Sequence, residues 1–196
     1  MNFQPILLEG TQVVLLPMQE SHISGLAEAA SDPAIFAYMT PLLHLSAVEQ
    51  FVRQALDEQK AGLGIPYTVY DKQTDTFVGS TRLFDYSSAN RHVEIGHTWY
   101  NPRVWRTRIN TECKYLLLQH CFETLDLLRV QIKTDLRNER SQAAIMRLGA
   151  QKEGVLRQHR VLHDGFVRDT VMFSIIACEW PDVKLRLEGF LNQVRV

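Results

Sequence analysis

Between His92 and Asp135 the chain spells strand, helix, strand: an apolar run from His92 to Tyr100, a loop, a helical stretch from about Asn110 to Thr124, and a second apolar run from Arg129 to Asp135. Two strands joined through a helix lie parallel, with a right-handed crossover between them. The flanking segments constrain what surrounds this unit. Upstream, Ile65 to Asp71 and Thr76 to Tyr86 are strand-like and flank Lys72-Gln73-Thr74-Asp75, a polar turn that predicts an antiparallel hairpin. Thr11 to Pro17 predicts a first strand. Downstream, Arg157 to His163 and Val167 to Ile176 flank Asp164-Gly165, a strong short hairpin signal. The expected fold is mixed α/β, with antiparallel N-terminal strands, one central parallel crossover and a C-terminal hairpin.

Helices fill the gaps between these strands. Ser21 to Ala30 predicts a short helix stopped by Ser31-Asp32-Pro33, because the residue before proline avoids helical geometry. Ser46 and Glu49 have the spacing of a capping box, and Val48, Phe51, Val52, Ala55 and Leu56 form an apolar stripe running to about Lys60. A helix from Glu139 to Leu148 ends at Gly149, and Pro181 to Leu191 predicts the last one.

At 196 residues and 45% hydrophobic content the chain can bury one sizeable core, so residues 1–196 are expected to form a single domain. A formal net charge of -1 removes any bulk pull toward nucleic acid, so no DNA partner is expected. Cys113, Cys121 and Cys178 make no Cys-x-x-Cys pair, which predicts reduced thiols. His159 and His163 stand four apart, a ligand spacing for a helix but not for a strand, and no metal site is expected. With no basic leader and no apolar run of the roughly 20 residues that a membrane helix needs, a cytoplasmic location is expected.

The loop entering the central helix carries the chemistry. A helix start has backbone N–H groups without intrahelical acceptors and a positive macrodipole end, which together hold phosphate. Arg103, Arg106 and Arg108 stand at its mouth. With Pro102, Trp105, Thr111 and Glu112 in register, this loop resembles the pyrophosphate loop of the GCN5-related N-acetyltransferases (GNAT), in the branch that acetylates ribosomal-protein N-termini. That branch reads Pro-x-x-Trp-Gly-x-Gly-x-x-Thr-Glu, and here Arg106 and Arg108 replace the glycines. Glu94-Ile95-Gly96-His97, Asn138 with Ser141, Glu153-Gly154, Arg157, Asp164-Gly165, Asp169 and Glu179-Trp180 also resemble that branch.

The resemblance implies an acetyl-CoA-dependent N-acetyltransferase whose two parallel strands splay to admit the pantetheine arm. It implies a cofactor-binding set of His97, Thr98, Arg103, Arg106, Thr107, Arg108, Ile109, Asn110, Thr111 and Asn138. The acceptor it implies is a peptide or small-molecule amine, seated between Phe36 to His44, Tyr67, Phe84 and His159 to Phe166. A monomer or homodimer is expected.

Amine acetylation needs a base, because an ammonium has no lone pair. Glu94, flanked by Val93, Ile95 and Trp99, is expected to be half-buried with a raised pKa and to serve as that base; the alternative is an ion pair with a residue such as Arg82. His97 is either a second proton acceptor or a packed strand residue. Ser141 either protonates the leaving thiol or belongs to a helix cap. Two rivals stand beside the enzyme. One is a non-catalytic acyl-CoA-binding regulatory module; the other is an RNA-associated protein using Arg103, Arg106, Arg108, Arg137 and Arg140, disfavoured by the net charge.

Overall fold

The computed structural model describes residues 3–193. A mixed sheet of eight strands runs in the order β1-β2-β3-β4-β5-β6-β8-β7. Its strands are β1 (Leu8–Glu9), β2 (Val13–Pro17), β3 (Gly64–Asp71), β4 (Thr76–Ser87), β5 (His92–Tyr100), β6 (Arg129–Asp135), β7 (Gln151–Val161) and β8 (Val167–Ile176). Only β5 and β6 pair parallel among the described residues, and the others pair antiparallel. Five α-helices accompany them: α1 (Ile23–Ala29), α2 (Leu45–Lys60), α3 (Ile109–Gln119), α4 (Glu139–Leu148) and α5 (Trp180–Asn192).

The central crossover lies within the larger apolar core. Ile109, Cys113, Leu116 and Leu117 of α3 are buried with Val93 and Ile95 of β5 and Val130 and Ile132 of β6 in one apolar cluster. Full burial of each such aliphatic side chain contributes roughly 1.5–3 kcal/mol. A second cluster, with Leu26, Phe36, Val48, Val52 and Trp99, joins α1 and α2 to the sheet. The α3 path ends in a single widened π-type turn, His120–Thr124, so the predicted helical span to Thr124 is present in two geometries. Gly149 ends α4 at φ 109, a conformation that suits glycine because it has no Cβ.

Two local expectations are corrected. α2 begins one residue before Ser46, and its N-cap is His44, whose carbonyl accepts from the N–H groups of Ala47 and Val48 at 2.9 and 3.2 Å. Ser46 is therefore already inside the helix, and the Ser46/Glu49 box does not form. The chain before it is anchored by buried Leu42, so docking of the preceding segment sets the helix start rather than the polar side chain. The last hairpin also differs: five residues, Leu162 to Phe166, join its strands, with Gly165 at φ 83 and Asp164 Oδ1 accepting from Phe166 N at 3.0 Å. β7 starts at Gln151, six residues before the predicted Arg157. Its side chains are largely exposed, so backbone pairing with β8 makes it a strand without any apolar alternation to mark it.

Candidate active site

The site is built where β5 and β6 part. Their pairing runs from His92 with Arg129 to Ile95 with Ile132 and stops, although β5 continues to Tyr100 and β6 to Asp135. At the same level β5 bulges against β4: Arg82 pairs with Gly96 and Ser80 with Trp99, so His97 and Thr98 together oppose Thr81. His97 sits at φ 48 within this bulge. Such an extra residue bends and twists a strand, and here it carries the end of β5 away from β6. The separated edges open into a cleft of about 1770 Å³, lined at one end by the loop into α3 and at the other by Tyr38, Met39, Phe84 and Arg160.

The loop is held from several sides. Trp105 Nε1 donates to the carbonyl of Tyr100 at 2.9 Å, and the Arg140 guanidinium lies 3.8 Å over the Trp105 ring. Asn101 ties the loop to α1 by donating to Ala29 O at 2.9 Å. Arg106, at the first position where the resembled motif has glycine, takes φ 60; Arg108, at the second, is ordinary at φ -75. Only one of the two replacements is therefore strained. A non-glycine residue in the left-handed region costs roughly 1–2 kcal/mol. Arg106→Gly is expected to raise Tm by about 2–4 °C, the equivalent of about 1 kcal/mol in a protein of this length once glycine's larger unfolded-state entropy is subtracted. A thermal melt showing a lower Tm would mean that contacts of the Arg106 side chain outweigh the backbone strain.

The arginines of the loop divide. Arg106 and Arg108 line the cleft, joined by Arg140 and Arg147 of α4. Arg108 also donates to Leu191 O at 2.5 Å near the end of α5, and Arg147 donates to buried Thr111 Oγ1 at 2.6 Å. Arg103 turns away, donating to Thr76 Oγ1 at 2.6 Å and Phe77 O at 3.2 Å on the β3–β4 hairpin. Ile109 points into the core, while Thr107 and Asn110 line the cleft. Glu112 serves the fold: its carboxylate accepts from the backbone N–H of Thr11, and from that of Gln12 at 3.1 Å, closing the turn between β1 and β2.

Glu94 stands at the splay, 3% exposed, with Lys133 Nζ of β6 at 2.6 Å and Gln131 Nε2 at 3.3 Å. Burial raises its pKa above the ordinary carboxylate value, and the charges of Lys133 and Arg160 oppose that rise without cancelling it. Arg82 is not its partner, since that guanidinium reaches to α2 and pairs with Glu58. The His97 ring is open to the cleft and packs edge-on against Phe84 at 5.0 Å. The protein around it, helped by the positive charges of Arg82 and Arg160, lowers its pKa and so favours the neutral ring. Asn138 is the N-cap of α4, its Oδ1 accepting from Ser141 N at 3.0 Å; Ser141 itself lines the cleft.

Residues 12–151 match the acetyltransferase (GNAT) domain family. The chain belongs to the GCN5-related N-acetyltransferases. A GNAT enzyme from Brucella melitensis is 29% identical and superposes with a TM-score of 0.87, covering 95% of this chain and 85% of that one. Uncharacterised N-acetyltransferase p20 of Bacillus licheniformis is 26% identical over 171 residues, 86% of this chain and 95% of its own. At 20% identity, Mycobacterium smegmatis RimJ, solved in complex with CoA-disulfide, shares the fold with a TM-score of 0.82 over 96% of each chain.

The GNAT fold implies acyl-CoA binding, and features of this site fit that ligand. The unpaired edges of β5 and β6 offer backbone groups that need partners when water is displaced. Four arginines, on the loop into α3 and on α4, line the cleft. A further residue, not read as functional from the sequence, completes the set. Lys114 of α3 is 5% exposed and lines the cleft, and its Nζ donates to Thr98 Oγ1 at 2.9 Å. No carboxylate lies within 4 Å of it among the described residues, and burial pushes its pKa down to about 8. Its sequence signal was a cation one residue from Cys113 and two from Leu116, inside the buried face of α3. Thr98, bonded also to Thr81 Oγ1 at 2.8 Å, orients the ammonium.

Of the residues expected to seat the acceptor, Tyr67 and His44 lie elsewhere. Tyr67 is fully buried in the core and His44 caps α2 outside the cleft. Tyr38, Met39, Leu42, Phe84 and Arg160 to His163 line the cleft as expected, and Phe51 joins them. Arg137 braces this wall, paired with Asp135 at 2.8 Å and stacked 3.7 Å from the Phe166 ring and 5.4 Å from Tyr38.

Proposed function

We propose that this GNAT enzyme transfers an acetyl group from acetyl-CoA to a primary amine, of a peptide N-terminus or a small molecule, by direct attack on the thioester. The observation that carries this is Glu94, a buried carboxylate with a raised pKa at the point where the two parallel strands separate. The CoA-disulfide complex of RimJ supports the choice of cofactor.

Acetyl-CoA supplies the activated acyl group. The start of α3 with Arg106, Arg108, Arg140 and Arg147 receives the phosphates, and the free edge of β5 receives the amides of the pantetheine arm. Lys114 donates to an amide carbonyl of that arm. Glu94 takes the proton of the incoming ammonium, directly or through one water. Backbone N–H groups of the bulge from Gly96 to Thr98, already out of register with β4, donate to the oxygen on which charge develops. Ser141 donates toward the leaving sulfur, with Asn138 holding the helix start beneath it.

The Glu94–Lys133 pair also supports a second reading, in which the pair stays locked and solvent removes the proton. Calorimetric titration with acetyl-CoA, CoA and dephospho-CoA, followed by an amine screen read by thiol release, tests the proposal. Acetyl-CoA and CoA are expected to bind alike, and dephospho-CoA at least about tenfold more weakly, the loss of one charge-assisted phosphate contact. No heat with acetyl-CoA would overturn the assignment of cofactor; binding without turnover of any amine would return the site to the regulatory module.

A further inference from the structure

The acceptor end of the cleft holds more positive charge than its own carboxylates balance. Arg160 of β7 and Arg168 of β8 are direct cross-strand partners, and both line the cleft. Like charges directly opposite one another destabilise a strand pair. Neither guanidinium has a carboxylate within 4 Å among the described residues; Arg168 Nε donates to Thr170 Oγ1 at 3.1 Å. The carboxylates that line this end are already committed, Glu94 to Lys133 and Asp135 to Arg137. Asp85 interacts with Glu94 from behind, through Gln131 Nε2 at 2.9 Å, and Asp164 lies near Arg137. The two arginines line the same cleft as Glu94 and lie within its electrostatic reach. They sit on the last hairpin, whereas the four arginines assigned to phosphate sit on the loop into α3 and on α4.

We infer that the acceptor is an amine that also carries a carboxylate, held by Arg160 and Arg168 while its nitrogen is presented to Glu94. A guanidinium pair suits this task, because each offers planar donors matched to carboxylate oxygens and stays charged at any physiological pH. A polyamine would meet only repulsion from the same pair. The inference rests on the acetyltransferase reading and narrows its substrate.

The experiment compares kcat/KM for acidic free amino acids, acidic dipeptides, the carboxyl-amidated form of each, and spermidine, in wild type, Arg160→Gln and Arg168→Gln. Carboxylate-bearing amines are expected to exceed their amidated forms by at least about tenfold, with spermidine the poorest; each variant should raise KM for them about tenfold, leaving kcat and the amidated forms little changed. The amino-acid and dipeptide arms tell which source of the carboxylate the pocket accepts. Equal or better turnover of amidated amines or spermidine overturns the inference, as does an unchanged KM in Arg160→Gln, whose exposed side chain is not needed for folding. Calorimetry with acetyl-CoA on the same preparations separates the two failures. A wild type that does not bind acetyl-CoA defeats the cofactor assignment, whereas one that binds it and prefers uncharged amines defeats only the carboxylate.

Discussion

Glu94→Gln lowers kcat by about 10²-fold or more while acetyl-CoA affinity stays within about twofold, if the buried carboxylate is the base. The substitution keeps the shape of the side chain and its place beside Lys133, removing only the ability to take a proton. The pH profile gives the sharper readout. A base works deprotonated, so kcat/KM should rise with pH through the pKa of Glu94, and burial places that limb above the ordinary carboxylate range. Lys133 holds the limb down, so Lys133→Met should move it further up, and in Glu94→Gln it should vanish. A variant with wild-type kcat and the same limb would remove Glu94 from the chemistry and leave the locked ion pair as the better account.

Lys114→Met is expected to stabilise the protein and weaken its grip on the cofactor at once. A lysine pKa lowered from 10.5 to about 8 means that the folded chain resists the ammonium form. At 1.36 kcal/mol per unit the penalty is about 3 kcal/mol, and it is fully present below pH 8. It fades as pH rises from 8 toward the unfolded lysine value, so the wild type should gain stability across that window and the variant should not. Near neutral pH, Met should raise Tm by about 5 °C or more. Acetyl-CoA affinity should fall about tenfold, while adenosine 3′,5′-bisphosphate, which lacks the pantetheine arm, binds as before. Unchanged acetyl-CoA affinity would show that the ammonium does not reach the arm. A residue that costs the empty protein stability is expected where function requires a polar group awaiting its ligand.

Much of this site was readable from local sequence because its parts are short-range. Helix α4, from Glu139 to Leu148, has its cap donor at Asn138 and its stop at Gly149, and both signals lie within a turn of the ends they set. The loop residues Trp105 and Thr111 fall at the spacing their contacts require, Trp105 reaching Tyr100 five residues back and Thr111 sitting in the first turn of α3. Arg106 shows the same locality in reverse. The position where the resembled motif has glycine keeps a left-handed backbone even with arginine in it.

What failed to show locally depends on partners distant in sequence. Glu94 and Arg82 were a reasonable pair on adjoining strands, yet the register sets Arg82 opposite Gly96 and toward Glu58, while the parallel neighbour brings Lys133 to Glu94. Arg103 sits in the loop into α3 by number and on the β3–β4 hairpin by contact. β7 carries no apolar alternation, so the turn after it marks only its second half, and pairing with β8 is what extends it back to Gln151 and places Arg160 against Arg168.

By itself the sequence determined the order of elements from the strand ending at Pro17 onward, the crossover between His92 and Asp135 and the loop that begins α3, since periodicity and turn chemistry act over a few residues; the two-residue β1 is too short to carry such a pattern. Only the tertiary structure decided which charges meet: the Glu94–Lys133 pair, the lone ammonium of Lys114 and the facing arginines of the last hairpin. Ion pairing and desolvation depend on distance and burial in space, and a linear pattern of residues carries neither.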